Sequence, residues 1–382
     1  MLRPLEVKVI RATDESRRTV DVGTFTSYEF DMNMLVPASA FRFTANGVSK
    51  EDRLAIRSGD TSMLYARNVE GREFRLATGF IDETEFHLTA KNKDYLLTGR
   101  DTLGQLIDNS AIDASNNIIH LAQASVASVA NVLLQNTRMP KEVVQRNAPS
   151  GPLLFQTNPG ETKINALQRY LEYTNCLVWA LPDGRMAIGK PNMSQSSADT
   201  LAIRESDPRF NNVLEIRVKR APALAIRTIA VQVQELGVTD PGQVTVANSD
   251  ADVALLAKRG VGRSVYRLFS QGNGTDAVNQ LNQVGGGGGL QSIGKGYALR
   301  EIARDNIKTL EVTAVLRGHI DNAGNPYAYE KMYDVIVEDE DLQERMYCYA
   351  CKYSYTKEQG PTTTLRLCRT NALVADVPQR SV

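Results

Sequence analysis

Cysteine, histidine and tryptophan are all scarce in this chain, numbering 4, 3 and 1 among 382 residues. Four cysteines, Cys176, Cys348, Cys351 and Cys368, are too few to staple a chain of this size with a disulfide framework. The histidines His87, His120 and His319 show neither H-x-x-x-H nor H-E-x-x-H spacing, and there is no Gly-x-Ser-x-Gly elbow. Zinc-hydrolase and serine-hydrolase signatures are therefore missing. An excess of one charge is missing too: Lys plus Arg and Asp plus Glu each total 44, so no whole-chain positive field draws nucleic-acid phosphates. No apolar run approaches the about 20 residues of a membrane helix. The start, Met1-Leu2-Arg3-Pro4-Leu5-Glu6-Val7-Lys8, is charged where a secretory signal needs an apolar core. The expectation is a chain made and assembled in a cytoplasm.

What is present is a long series of short strands. Hydrophobic residues make up 42% of the chain, enough for two or three packed cores in 382 residues. Val7 to Ile10 and Thr19 to Val22 bracket a polar turn, and Tyr28, Phe30 and Met32 alternate with Glu29, Asp31 and Asn33 as in a half-buried strand. Phe41-Arg42-Phe43-Thr44 continues the pattern, and Asn46-Gly47 is a strong turn signal. Glu73 to Leu76, Thr84 to Leu88 and Tyr95 to Thr98 are further strand candidates. So many short strands within about a hundred residues predict an antiparallel barrel or sandwich.

The pattern then changes period. Between Asn117 and Thr137, Val126, Val129, Ala130 and Leu133 recur at helical spacing, which places His120 at the start of an amphipathic helix. Asn158-Pro159-Gly160-Glu161 offers a cap, a proline at the first helical position and an acid, with Ile164, Leu167 and Leu171 as the apolar stripe behind it. Cys176 to Leu181, the Pro182-Asp183-Gly184 turn and Arg185 to Lys190 form a hairpin carrying the single Trp179. Strands resume at Asn212 to Val218 and Ile226 to Gln234. An interruption follows over about 236–296, with a short helix at Asp252 to Lys258 and the five glycines Gly285 to Gly289, read as a mobile loop or a linker. Beyond it, Leu310 to Leu316, Met332 to Val337, a tyrosine-rich run over 346–355 and Thr363 to Arg369 complete a second barrel. The fold expected is mainly β with an α+β insertion: a first barrel over 1–103, an α+β domain over 104–204 and a second barrel over 205–378.

Four motifs invite chemistry. Gly289-x-x-x-x-Gly294-Lys295 matches a phosphate-binding loop until Gly296 stands where Ser or Thr would hold magnesium, and no apolar strand precedes it. Cys348-x-x-Cys351 lies in a period-2 strand, where residues three apart point to opposite faces and cannot grip one ion. Glu338-Asp339-Glu340-Asp341 lacks the alternation and glycine of a calcium loop and reads as a solvated turn. Asp82 and Asp101 read as turn-forming and capping carboxylates. No catalytic, cofactor-binding or metal-ligating residue is assigned.

One stretch carries a family likeness. From Gly79 to Asp113, a Gly79-Phe80-Ile81-Asp82 turn precedes an apolar run ending Tyr95-Leu96-Leu97-Thr98-Gly99-Arg100-Asp101, then Leu103, Leu106, Ile107 and Asp108. It resembles the baseplate hub proteins of contractile-tailed phages, the Mu-like tail family, in which a strand closes a barrel with a Gly-Arg-Asp corner and leads into a short helix. The segment from Gly160-Glu161-Thr162 to Pro191 follows in the family's order. The resemblance implies a non-enzymatic virion protein with two tube-like barrels per chain, trimerising into a pseudo-sixfold ring between tail tube and central spike. Its implied partners are two further copies, the spike protein, a tail tube or tube-initiator protein, other baseplate proteins and the tape measure protein, with DNA only in transit and no membrane segment. The implied location is the virion, after assembly in the host cytoplasm. The alternative is a tail-associated cell-wall hydrolase or carbohydrate-binding module, which would call for an acid pair, a His cluster or an aromatic platform.

Overall fold

The computed structural model describes residues 5–10, 19–21, 24–89, 93–113, 115–148, 153–174, 176–234, 242–270 and 289–373. The chain is mainly β. In its N-terminal part the strands are β1 (Leu5–Ile10), β2 (Thr19–Asp21), β3 (Thr24–Asn33), β4 (Ala40–Asn46), β5 (Thr61–Arg67), β6 (Glu73–Leu88) and β7 (Lys93–Asp101), with helix α1 (Lys50–Ala55) between β4 and β5. A middle part holds α2 (Gly104–Asp108), β8 (His120–Ala124), α3 (Val126–Leu134), β9 (Val143–Arg146), β10 (Leu153–Gln156), α4 (Lys163–Thr174), β11 (Leu177–Ala180) and β12 (Met186–Gly189). The C-terminal part contains β13 (Ser197–Ile203), β14 (Val213–Lys219), β15 (Ile226–Gln234), β16 (Gly242–Ala247), α5 (Ala251–Lys258) and β17 (Arg263–Ser270). It ends with α6 (Gly289–Asp305), β18 (Glu311–Arg317), β19 (Met332–Val337), β20 (Leu342–Thr356) and β21 (Gly360–Cys368).

Thirteen strands from the two ends of the chain form one continuous sheet, ordered β14-β18-β21-β20-β3-β4-β7-β6-β5-β1-β2, with β19 and then β13 branching from β20. The join is the antiparallel pairing of β3 with β20, from Ser27 opposite Thr356 to Asn33 opposite Ala350. Period-2 alternation explains what it buries: Tyr28, Phe30 and Met32 of β3 share a face with Phe41, Phe43 and Ala45 of β4 and with Cys351 and Tyr353 of β20. All eight are buried, and the Phe30 and Phe41 rings stack at 5.1 Å. At the far side, β14 and β13 are linked by side chains. Asn212 donates to the Thr200 carbonyl at 2.6 Å and accepts from the Ala202 amide at 3.0 Å, a substitute for ladder bonds.

Several expectations change in the structure. Glu73 to Leu76 and Thr84 to Leu88 belong to the single strand β6, so Gly79-Phe80-Ile81-Asp82 is no turn; a register shift between Ile81 and Glu83 marks a bulge there. His120 lies in β8, not at a helix start, because β8 pairs with β10, and α3 begins only at Val126, capped by the Ser125 hydroxyl. Helix α4 starts at Lys163, after a turn at Gly160 (φ +76°), later than the Pro159 signal indicated. Ile226 to Gln234 is a strand, but not of the large sheet. As β15 it lies between β16 and β17 in a separate three-stranded sheet, so the stretch 236–296 contributes regular structure. Helix α6 closes this unit, with Ile226, Ile229, Val231, Ala298 and Ile302 as its core. The expected mobile loop, residues 285–288, lies outside the described residues, and Gly289 already belongs to α6.

Candidate functional site

The stretch that carries the family likeness is a structural corner. Gly79 and Gly99 face the Phe41 ring from β6 and β7; a Cβ on Gly79 would stand 2.7 Å from that ring, and one on Gly99 would overlap both the ring and the Phe80 carbonyl oxygen. Between them Arg100 forks to two carboxylates, Asp82 on the bulge at 2.7 Å and Asp108 at the end of α2 at 2.7 Å. The two pairs hold the strand end against the short helix and push the guanidinium pKa up. Asp101 is the capping carboxylate expected: it accepts from the Leu103 amide at 2.9 Å and from the Ser39 amide at 2.7 Å. Burial raises its pKa to about 6 against the opposing pull of those hydrogen bonds.

A second cluster, without a sequence signal, lines a cleft of about 540 Å³ between β9, the turn after β11 and the segment before β19. Gly189 permits its geometry. At φ +144° and without a side chain, it lets the Arg146 carbonyl come close enough to accept from the Lys190 amide at 2.7 Å, where a Cβ would collide with that carbonyl. Across the cleft, Glu330 has φ +63°, uncommon for a non-glycine residue. Its backbone is fixed on both sides: the amide donates to the Cys348 carbonyl at 2.9 Å and the carbonyl accepts from Gln195 Nε2 at 2.6 Å. Burial pushes the Glu330 carboxyl above the usual range, opposed by Arg146, whose Nε lies 3.7 Å away. The buried Trp179 indole nitrogen lies near enough to favour the charged carboxylate, yet it makes no well-formed hydrogen bond.

The remaining candidates resolve as follows. Cys348 and Cys351 share a face rather than opposing each other, because a bulge at Tyr349 shifts the register. Cys348 sits opposite Leu367 and Cys351 opposite Leu365, and those two leucines are two residues apart. Both thiols are buried and pushed up by burial, and among the described residues no group of three His, Cys, Asp or Glu side chains comes together to hold a metal ion. Gly294 and Lys295 lie within helix α6, so the phosphate-loop pattern is not a loop. His87 is exposed near the end of β6, whereas His319 is buried. Glu338 to Glu340 form an exposed 3₁₀ turn, in which Glu338 accepts from the Ser206 amide at 2.8 Å and Glu340 pairs with Arg220. No described helix is long and apolar enough to cross a membrane.

The same fold occurs in solved structures of phage tail proteins. A tail protein from Neisseria meningitidis MC58 superposes with a TM-score of 0.73 at 17% identity, over 97% of this chain and 98% of that one. The 43 kDa tail protein of prophage MuSo2 from Shewanella oneidensis gives 0.68 at 16%, over 98% and 100%. Prophage tail protein gp18 from Listeria monocytogenes EGD-e gives 0.56 at 11%, over 96% and 95%. No protein-family model matches the chain, and no curated protein matches it in sequence. The chain has the fold of these phage tail proteins.

Proposed function

We propose that this chain is a baseplate hub protein of a contractile phage tail, a structural ring subunit without catalysis that adapts a sixfold tail tube to a threefold central spike. The observation that carries the reading is the end-to-end likeness of its fold to the Neisseria and Shewanella tail proteins. A ring follows from the domain organisation proposed with it. In this reading 1–103 and 205–378 form two tube-like barrels flanking an α+β domain at 104–204. Three copies then present six roughly equivalent units, matching a sixfold tube on one side and a threefold spike on the other. Among the described residues β2 pairs only with β1, an edge that invites pairing and that a neighbour in a ring would cover. The partners in this reading are two further copies, the spike, a tube or tube-initiator protein, other baseplate proteins and the tape measure protein, in a virion tail assembled in the host cytoplasm.

Electron microscopy of the purified protein with its spike partner tests the reading. Class averages are expected to show a threefold ring with a central hole. A protein that stays monomeric with the spike at micromolar concentration would sink the hub assignment.

A further inference from the structure

The cleft between Arg146 and Glu330 carries an inference that does not rest on ring assembly. Its only polar contact between charged side chains is the Arg146–Glu330 pair at 3.7 Å, too long for a hydrogen bond. Arg146 is half exposed, and its one contact among the described charged side chains is that ion pair. A guanidinium at a cleft is the side chain best shaped to take a carboxylate through two parallel N–H···O bonds. Lys331, whose ammonium donates to the Pro326 carbonyl at 3.1 Å, adds a second cation to the lining, against the single carboxylate of Glu330. Around these charges stand Asn147, Asn192 and Gln195; Gln195 Nε2 is spent on the Glu330 carbonyl and Asn192 Oδ1 on the Ser194 amide and hydroxyl, which leaves Gln195 Oε1, Asn192 Nδ2 and the Asn147 amide for the N–H and C=O groups of an extended backbone.

The backbone holding the cleft is fixed before any ligand arrives. Glu330 sits in a left-handed conformation that is strained for a non-glycine residue and persists only where its surroundings enforce it. Here Cys348 and Gln195 do so. On the opposite wall, Gly189 lets β12 hold the Arg146 carbonyl in place. Two fixed walls, with a cation between them held only by one 3.7 Å ion pair, make a preorganised pocket.

We infer that this cleft captures an acidic residue, Asp or Glu, presented by an extended segment of a partner protein, with the carboxylate on Arg146 and the flanking peptide groups on Asn147, Asn192 and Gln195. Trp179 is the only tryptophan in the chain and lies beside Glu330, so tryptophan emission comes from one position next to the cleft.

The probe is the blocked tripeptide acetyl-Gly-Glu-Gly-amide, titrated into the full chain at low salt beside its Lys counterpart and free glutarate. The Glu peptide is expected to change Trp179 emission saturably with a Kd of about 1 mM, a value within reach of one charge-assisted contact plus backbone bonds. Arg146→Met should weaken it at least about tenfold, a full loss of the bidentate contact. Glu330→Gln, which removes the like charge, should tighten it. Equal responses to the Glu and Lys peptides, or an unchanged Kd in Arg146→Met with intact circular dichroism, would overturn the inference. Glutarate binding as tightly as the peptide would overturn its extended-segment part.

Discussion

Tyr28 and His319, 291 positions apart in sequence, are joined by a 2.7 Å hydrogen bond inside the large sheet's core. Thr363 Oγ1 donates to the Gly318 carbonyl at 2.6 Å, which leaves its oxygen to accept at 2.7 Å from His319. The ring therefore carries its proton on Nδ1, and Nε2 accepts from the Tyr28 hydroxyl. A neutral imidazole satisfies the whole chain. An imidazolium has no acceptor atom, so the Tyr28 O–H could no longer donate to it.

Burial holds the His319 pKa down at about 3, from an ordinary value near 6.5. A depressed folded-state value means the contribution to stability is present above about pH 6.5 and is lost as pH falls through 3. Between those limits the wild type should lose on the order of 1.4 kcal/mol per pH unit from this group. His319→Gln keeps a donor and an acceptor but does not titrate. Urea midpoints at pH 7 and pH 4.5 should differ less for His319→Gln than for wild type, even though the variant is weaker at pH 7. Parallel pH profiles would show that His319 is not the acid-sensitive group.

Two glycine substitutions should act with opposite signs. Gly99→Ala drives a methyl into the Phe41 ring and the Phe80 carbonyl, and overpacking of this kind costs about 1–3 kcal/mol or more. Gly296→Ala meets nothing within 4 Å and lies in helix α6, where alanine is favoured over glycine by about 0.5–1 kcal/mol. Thermal melts should move down for the first and up for the second. A fall in Tm for Gly296→Ala would mean that this stretch needs the freedom of a loop.

These glycines also show where the sequence was legible. Alternation in Tyr28 to Asn33, the helical stripe of Ile164, Leu167 and Leu171, and the Pro182-Asp183-Gly184 hairpin are local signals, and the structure keeps each of them. Gly79 carries a different meaning. Its missing side chain serves the Phe41 ring, a contact from a distant strand, so the local reading of a turn failed. His120 lies in a strand for the same reason, since β8 exists through its pairing with β10. The cleft was invisible because Arg146 and Glu330 come from separate elements, and a left-handed glutamate leaves no mark in the sequence.

The four cysteines are buried, and burial raises the thiols of Cys348, Cys351 and Cys368. A thiolate reagent such as DTNB should label almost none of them in the native protein and all four in denaturant. Native labelling of Cys348 or Cys351 without unfolding would show that the bulge at Tyr349 opens on its own.

In the proposed hub, the basic run from Arg217 to Arg220 is a stretch that could grip passing DNA. Each cation has an acidic neighbour: Arg217 lies 3.7 Å from Glu215, Lys219 lies 3.9 Å from Glu311, and Arg220 pairs with Glu340. Such exposed pairs add little stability. They do cancel the local positive field, which is what a surface that lets DNA slide past requires, because every phosphate neutralised adds a salt-dependent grip. The wild type should hold duplex DNA weakly in low-salt filter binding. The triple variant Glu215→Gln, Glu311→Gln, Glu340→Gln uncovers three cations, and its DNA affinity should rise and fall with log salt at a slope steeper by about 3. Sub-micromolar DNA binding by the wild type would show that paired carboxylates do not silence this face.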